Sequence, residues 1–240
     1  MKRLDGRRPD QMRKIEVETD FVEYAEGSVL ISAGKTRVLC NVSVEEGQPS
    51  WKVNKGLPGG WITAEYALLP RSTHTRVERE TDGWSGRTQE IRRLIGRSLR
   101  AGFDLEKIGP RTCIVDCDVL QADGGTRTLS VTGGYLALAL AFQRLIEAGE
   151  LSSDVFLSPV AAVSVGMLDG GPVLDLCYRE DAAADVDLNL VMNQAGKMIE
   201  IQGTAEGSPF HRNEMDQMLD LAAGGIGQLF QIQDQVLEKI

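Results

Sequence analysis

The chain has 240 residues, 42% hydrophobic and 25% charged, the balance of a globular protein large enough for one domain built from two packed halves. No uninterrupted apolar run approaches the ~20 residues that cross a bilayer. The charged opening MKRLDGRRPDQMRK is no secretory signal, so a cytoplasmic location without a membrane partner is the default expectation.

A net charge of −9 argues at first against a nucleic-acid partner, but the distribution is uneven. Residues 1–14 hold six Lys or Arg against two Asp, and residues 71–100 hold eight Arg against four acidic residues. All eight basic residues of the second stretch are Arg, whose rigid fork pairs with phosphate through two hydrogen bonds. Polyanion binding is the functional expectation. A solvated helix face, or a contact with the acidic remainder, fits the same pattern.

In chain order, IEVET (15–19), SVLISAG (28–34) and TRVLCNVSVEE (36–46) read as strands, because they alternate or are rich in β-branched residues. The Gly- and Pro-punctuated stretch 47–61 reads as a loop. From Thr88 to about Phe103 the period becomes helical: Ile91, Leu94, Ile95 and Leu99 share one face and Arg93, Arg97 and Arg100 another. A strand over 112–120 and a long helix from about Thr126 to Ala148 follow. Strands at 160–168, 172–178, 186–193 and 198–203 then lead to a final helix over about 213–239, weakened in the middle by Gly224 and Gly225. Strands then helix, twice over, predict an α+β fold of two related halves, about 1–150 and 151–240, within a single domain.

Three constellations carry chemistry. In QADGGTRT (121–128), between a strand and a long helix, Asp123 is placed to cap the helix. Gly124 and Gly125 would let backbone approach a ligand. The amides of Gly125, Thr126 and Arg127 would then face an anion at the positive end of the helix, although a plain strand–helix turn reads the same way. In SGRTQEIRRLIGRSLR (85–100), Arg87 at a Gly-flanked helix entry suits an oxyanion clamp, or is an ordinary surface residue. In LCYREDAAADVDLNLVMN (176–193), alternation puts Asp187, Asn189, Val191 and Asn193 on one strand face, with Asp181 six residues before Asp187. Converging carboxylates there could hold Mg²⁺ or Mn²⁺; Asp175 and Asp185 compete for that role, and a solvated acidic turn is the plainer alternative.

Absences narrow the chemistry. Neither His74 nor His211 lies in a nucleophile motif, and GxSxG and HExxH do not occur. Cys40, Cys113, Cys117 and Cys177 lie in apolar runs without zinc spacing and read as core thiols.

Six strings occur in order along nearly the whole chain: RRPDQMR (7–13), GWITAEYALLPRSTHTR (60–76), SGRTQEIRRLIGRSLR (85–100), DCDVLQADGGTRT (116–128), YREDAAADVDLNLVM (178–192) and GTAEGSPF (203–210). Together they resemble the ribonuclease PH family. The resemblance implies a duplicated β-α-β fold with mixed sheets. It also implies a phosphorolytic 3′-to-5′ exoribonuclease (a tRNA nucleotidyltransferase) that trims transfer RNA precursors, acts in tRNA and rRNA processing, and releases nucleoside diphosphates. By motif, Arg87, Gly125, Thr126 and Arg127 would bind the attacking inorganic phosphate. Asp181 and Asp187 would be the catalytic carboxylates associated with Mg²⁺ or Mn²⁺. Arg71, Arg76 and Arg79 would contact RNA, in a homo-hexamer assembled as a trimer of dimers. The segment TDGW (81–84) departs from the family pattern, and Trp84 either stacks on a base or packs the loop.

Overall fold

The computed structural model describes Arg3 and residues 5–239. Its first half is a five-stranded sheet of order β1-β2-β3-β5-β4, comprising β1 (Ile15–Thr19), β2 (Gly27–Ala33), β3 (Thr36–Glu46), β4 (Trp61–Leu68) and β5 (Arg111–Gln121). All neighbours are antiparallel except β4 and β5, which run parallel because α2 (Gly86–Arg100) supplies the crossover between them. The second half is a four-stranded, wholly antiparallel sheet of order β7-β6-β8-β9, built from β6 (Val160–Leu168), β7 (Gly171–Leu174), β8 (Val186–Asn193) and β9 (Met198–Ala205). The α+β class is as expected, but a mixed sheet occurs only in the first half, because the second lacks a helical crossover between neighbouring strands.

The segment expected as a loop over 47–61 contains a short helix, α1 (Ser50–Asn54). Lys52 closes it by donating to the carbonyls of Gly59 and Gly60 at 2.9 and 2.6 Å. The alternation of WITAEYAL directly after it makes β4, which buries Ile62, Ala64 and Tyr66 on one face.

Helix α3 (Thr126–Glu147) is the centre of the molecule. It packs on β2, β3 and β5 of one sheet and on β6 and β8 of the other. By length and composition it could cross a membrane, yet it is mostly buried inside the protein, which is why its apolar residues follow no single stripe. Helix α5 (Arg212–Leu237) covers the opposite face of the second sheet and runs unbroken through Gly224 and Gly225. The Leu174 side chain lies against the Gly225 backbone.

Alternation sorts the second sheet between these helices. Val160, Ala162 and Val191 join the core around α3, while Val163, Val165, Leu188 and Leu190 join the core under α5. Strand β6 is therefore buried along its whole length. Cys40, Cys113 and Cys117 are buried, Cys177 is half-buried, and all four are free thiols.

The strand expected over 172–178 stops at Leu174. Asp175 takes a left-handed conformation, φ 54°, and donates its amide to the Ser164 carbonyl at 2.7 Å, which turns the chain out of the sheet. Residues Tyr178–Asp181 then form a one-turn helix, α4, capped by Glu180 accepting from the Cys177 amide at 3.0 Å.

Candidate active site

The turn between β5 and α3 is shaped by two glycines. Gly124 and Gly125 have φ of 81° and 69°, the left-handed region that other residues enter only at a cost. A Cβ on Gly124 would fall 2.4 Å from the Leu176 carbonyl oxygen, so the turn and the approach to α4 are in direct contact. Asp123 does not cap α3, contrary to expectation. The cap position belongs to Gly125, and Asp123 Oδ1 accepts from the Tyr178 amide at 3.4 Å instead. With no capping side chain, the first-turn amides of Thr126 and Arg127 stay available at the positive end of the helix.

Thr126 and Arg127 are held by partners the sequence did not announce. The Thr126 hydroxyl meets the Tyr66 hydroxyl at 2.8 Å. Arg127 donates through Nη1 to Glu90 Oε1 at 3.1 Å and to Gln202 Oε1 at 3.0 Å, while Gln202 donates to Glu90 at 2.9 Å. α3, α2 and β9 thus converge on one guanidinium. Arg87 is the second residue of α2, exposed, behind a Ser85 cap that accepts from the Thr88 amide at 3.2 Å.

The Asp181 carboxyl lies close enough to Asp187, Arg127 and Arg87 to feel their charge. Asp181 is exposed; local desolvation, and then the charge of Asp187, push its carboxyl above the ordinary range, with Arg127 and Arg87 pulling the other way. Burial likewise raises Tyr66, against its bond to Thr126 and the same two arginines. Asp187 sits on β8, paired across the sheet with Gly166 and Thr204, and its Oδ1 is buried without a hydrogen-bond partner among the described residues. A buried carboxylate oxygen aimed at nothing invites a cation. Among the described residues no cluster of three or more His, Cys, Asp or Glu forms a ready metal cage. Two carboxylates completed by substrate phosphate and water are what Mg²⁺ commonly accepts, so the residues fit that ion.

The competing carboxylates separate from this pair. Asp175 is buried and gives both oxygens to Arg13, at 2.6 and 2.9 Å, which removes it from the candidate ligands. Asp185 is exposed, immediately before β8, and donates its backbone amide to the Met167 carbonyl at 2.9 Å.

The basic stretches also resolve differently from a single patch. Arg3 and Arg13 are 2% and 8% exposed, so much of the N-terminal cluster is interior ion pairing. On α2, Arg92 pairs with Glu65, Arg97 with Glu200 at 2.7 Å, and Arg100 donates to the Ile62 carbonyl at 2.9 Å. Arg71, Arg76 and Arg79 remain exposed on the long connection from β4 to α2. Arg71 lines a cleft of about 680 Å³ beside Asp123 and Tyr178, and Arg79 one of about 570 Å³ beside Tyr66 and Arg87. Trp84 is half exposed, with the Arg92 guanidinium 3.5 Å from its ring centre, so one face of the ring is already covered.

Tyr66 could have been found from the alternation of β4. Glu90 and Gln202 could not, because they lie 112 positions apart and only the fold brings them together.

Comparison with known proteins bears on the family and the fold. The model for domain 1 of the 3′ exoribonuclease family matches residues 11–142, and that for domain 2 matches residues 158–225. A ribonuclease PH of Dehalococcoides mccartyi, strain BAV1, is 54% identical over 240 residues, covering 99% of both chains. Among solved structures, rice (Oryza sativa) Rrp46 superposes with a TM-score of 0.80 at 17% identity, covering 98% of this chain and 100% of that one. The Archaeoglobus fulgidus exosome with RNA bound to the active site gives 0.81 at 23% identity, covering 96% and 92%. At these identities the two structures speak for the fold.

Proposed function

The chain belongs to the 3′ exoribonuclease family that includes ribonuclease PH, and from that membership we propose that it is a phosphorolytic 3′-to-5′ exoribonuclease trimming transfer RNA precursors. The observation that carries the site assignment is the convergence of Arg87, Arg127, Asp181 and Asp187 beside the uncapped start of α3.

In this reading inorganic phosphate sits on the Thr126 and Arg127 amides, gripped by Arg127, Arg87 and the Thr126 hydroxyl. One of its oxygens attacks the terminal phosphorus of the RNA. The bond from that phosphorus to the 3′ oxygen of the preceding nucleotide breaks. The terminal nucleotide leaves as a nucleoside diphosphate, and the freed 3′ oxygen takes up a proton. The attacking hydrogen phosphate carries a proton that the new bond releases, so the exchange balances. Phosphate is itself the nucleophile, so no activated Ser, Cys or His is needed. One phosphodiester is exchanged for one phosphoanhydride, which makes the reaction reversible.

Asp181 and Asp187 would hold Mg²⁺ or Mn²⁺, whose charge offsets the negative charge that builds on the transferring phosphoryl group. Arg71, Arg76 and Arg79 supply exposed cationic contacts for the RNA backbone. We extend the proposal to a ring-shaped homo-hexamer, a trimer of dimers, working in the cytoplasm; four free cysteines suit a reducing compartment.

The test is to incubate the protein with a 3′-extended transfer RNA and Mg²⁺, with and without phosphate, and to identify the nucleotides released. Diphosphates that appear only with phosphate support the proposal. Monophosphates released without phosphate would replace it with a hydrolytic nuclease, and no release with an RNA-binding subunit that lacks catalysis.

A further inference from the structure

We propose that Arg3 and Arg13 are positioning residues of this site, and that Arg3 with residues 5–14 forms a strap fixing the anion-binding turn and the carboxylate helix α4 at one separation. The inference rests on the reading of Asp181 and of Gly125–Arg127 given above.

Both arginines are interior, and each grips an element that carries site residues. Arg3 makes a fork to Glu180, through Nε at 2.8 Å and Nη2 at 2.7 Å, and Glu180 immediately precedes Asp181 in α4. The same guanidinium donates to the carbonyls of Leu174 and Asp175 at 2.8 and 2.9 Å. Arg13 holds Asp175 with its backbone amide at 2.8 Å and with Nε and Nη2. Its Nη1 reaches the Asp123 carbonyl at 2.6 Å, and its Nη2 the Gly124 carbonyl at 3.3 Å. Those carbonyls belong to the two residues just before Gly125.

The connection between the two grips is short. Asp175 is the residue both arginines share, through its carboxylate for Arg13 and its carbonyl for Arg3. Arg7 adds a third guanidinium, with Nη1 3.3 Å from the Asp175 carboxylate. Gly124 lies against the Leu176–Tyr178 backbone, so the turn and α4 abut directly. A four-residue helix has too few internal bonds to hold itself in place, and a turn of two left-handed glycines is no stiffer. Their relative position must come from what grips them, and the strap grips both. Charged groups this deep are costly unless every partner is in place, which makes the arrangement rigid or absent rather than loosely adjustable.

The test compares Arg3→Met, Glu180→Gln and Arg13→Met with the unaltered chain in three measurements. These are Mn²⁺ affinity by electron paramagnetic resonance without RNA or phosphate, kcat and the KM for phosphate, and Tm. A displaced α4 predicts that Arg3→Met and Glu180→Gln weaken Mn²⁺ binding and lower kcat about 10- to 100-fold, the usual effect of losing a residue that orients a ligand. The KM for phosphate should stay nearly unchanged in both. Arg13→Met should do the reverse and raise that KM.

Unaltered Mn²⁺ affinity and kcat in a folded Glu180→Gln would overturn the proposal. So would a uniform loss of metal, phosphate and RNA binding that tracks Tm, since that is global destabilisation. Should Arg3→Met not fold, Glu180→Gln decides alone, because it keeps the side-chain volume. Asp181→Asn is the control: if it binds Mn²⁺ as before, the reading of the site has failed rather than the strap.

Discussion

Arg127 donates through the single nitrogen Nη1 to both oxygens of Glu90, at 3.1 and 3.4 Å. That contact aims the guanidinium without using its other donors, so the side chain is oriented before any anion arrives. Arg127→Ala should therefore cost one charge-assisted contact to phosphate, about 1.5–3 kcal/mol, and raise the KM for phosphate about ten- to hundred-fold. RNA affinity measured without phosphate should hardly change. Equal losses of RNA and phosphate affinity would remove Arg127 from the anion site.

Asp187 Oδ1 makes no hydrogen bond among the described residues, so Asp187→Asn sacrifices none at that atom. Activity should vanish while Tm moves little, because no hydrogen bond at that atom is broken. Melting curves beside a phosphorolysis assay check this. A variant that is fully active, or one that is unfolded, would deny Asp187 a catalytic role.

RNA binding should weaken steeply with added salt, because each phosphate contact releases counterions. For a single-stranded 3′ tail, Arg71→Ala and Arg79→Ala should each flatten the slope of log affinity against log salt by about 0.7. The exposed Arg8, paired with Asp10 at 3.0 Å on the N-terminal segment, should leave the slope alone. A flat response in the unaltered chain would dismiss the arginines between β4 and α2 as RNA contacts.

Stability should depend on the buried ion pairs in acid. Burial pushes Asp175 up, but its hydrogen bonds to Arg13 and the charge beside it leave the carboxyl below its ordinary range. Glu180 is lowered in the same way by Arg3. A carboxyl lowered on folding contributes stability that is present above its unfolded pKa, about 4, and lost as pH falls through the folded value. Thermal melts from pH 7 down to 3 should show a steep decline below about pH 4 that Asp175→Asn makes shallower, starting from a lower Tm. Parallel curves for the two proteins would show that Asp175 is not the group being titrated.

Much of the fold was legible because alternation and helical spacing are local signals. β8 occupies the residues expected, and α3 begins where its Gly-Gly turn ends. β4 was overlooked although WITAEYAL alternates, because the Gly-rich stretch before it reads as one long loop. The end of β7 was misplaced because the sequence does not show that Asp175 turns left-handed to meet Arg13. Arg87, Arg127, Asp181 and Asp187 were nameable from motifs, and the fold brings them together. Glu90 and Gln202 were not nameable, since their meaning lies in a contact between distant segments. The N-terminal arginines were misread for a related reason: burial has no signature in a basic cluster, and a patch for polyanions and an internal ion network are spelled alike.

The position of α3 between the two sheets has a consequence for synthesis on the ribosome. When only the first half has emerged, the face of α3 that will meet β6 and β8 has nothing to cover it. A stretch hydrophobic enough to pass for a membrane span is then open to water, to neighbouring nascent chains and to chaperones. The first half should therefore aggregate if translation stalls after α3 has left the ribosome and before β6 and β8 have followed it. In the finished chain that same shared helix should make both sheets melt in one transition.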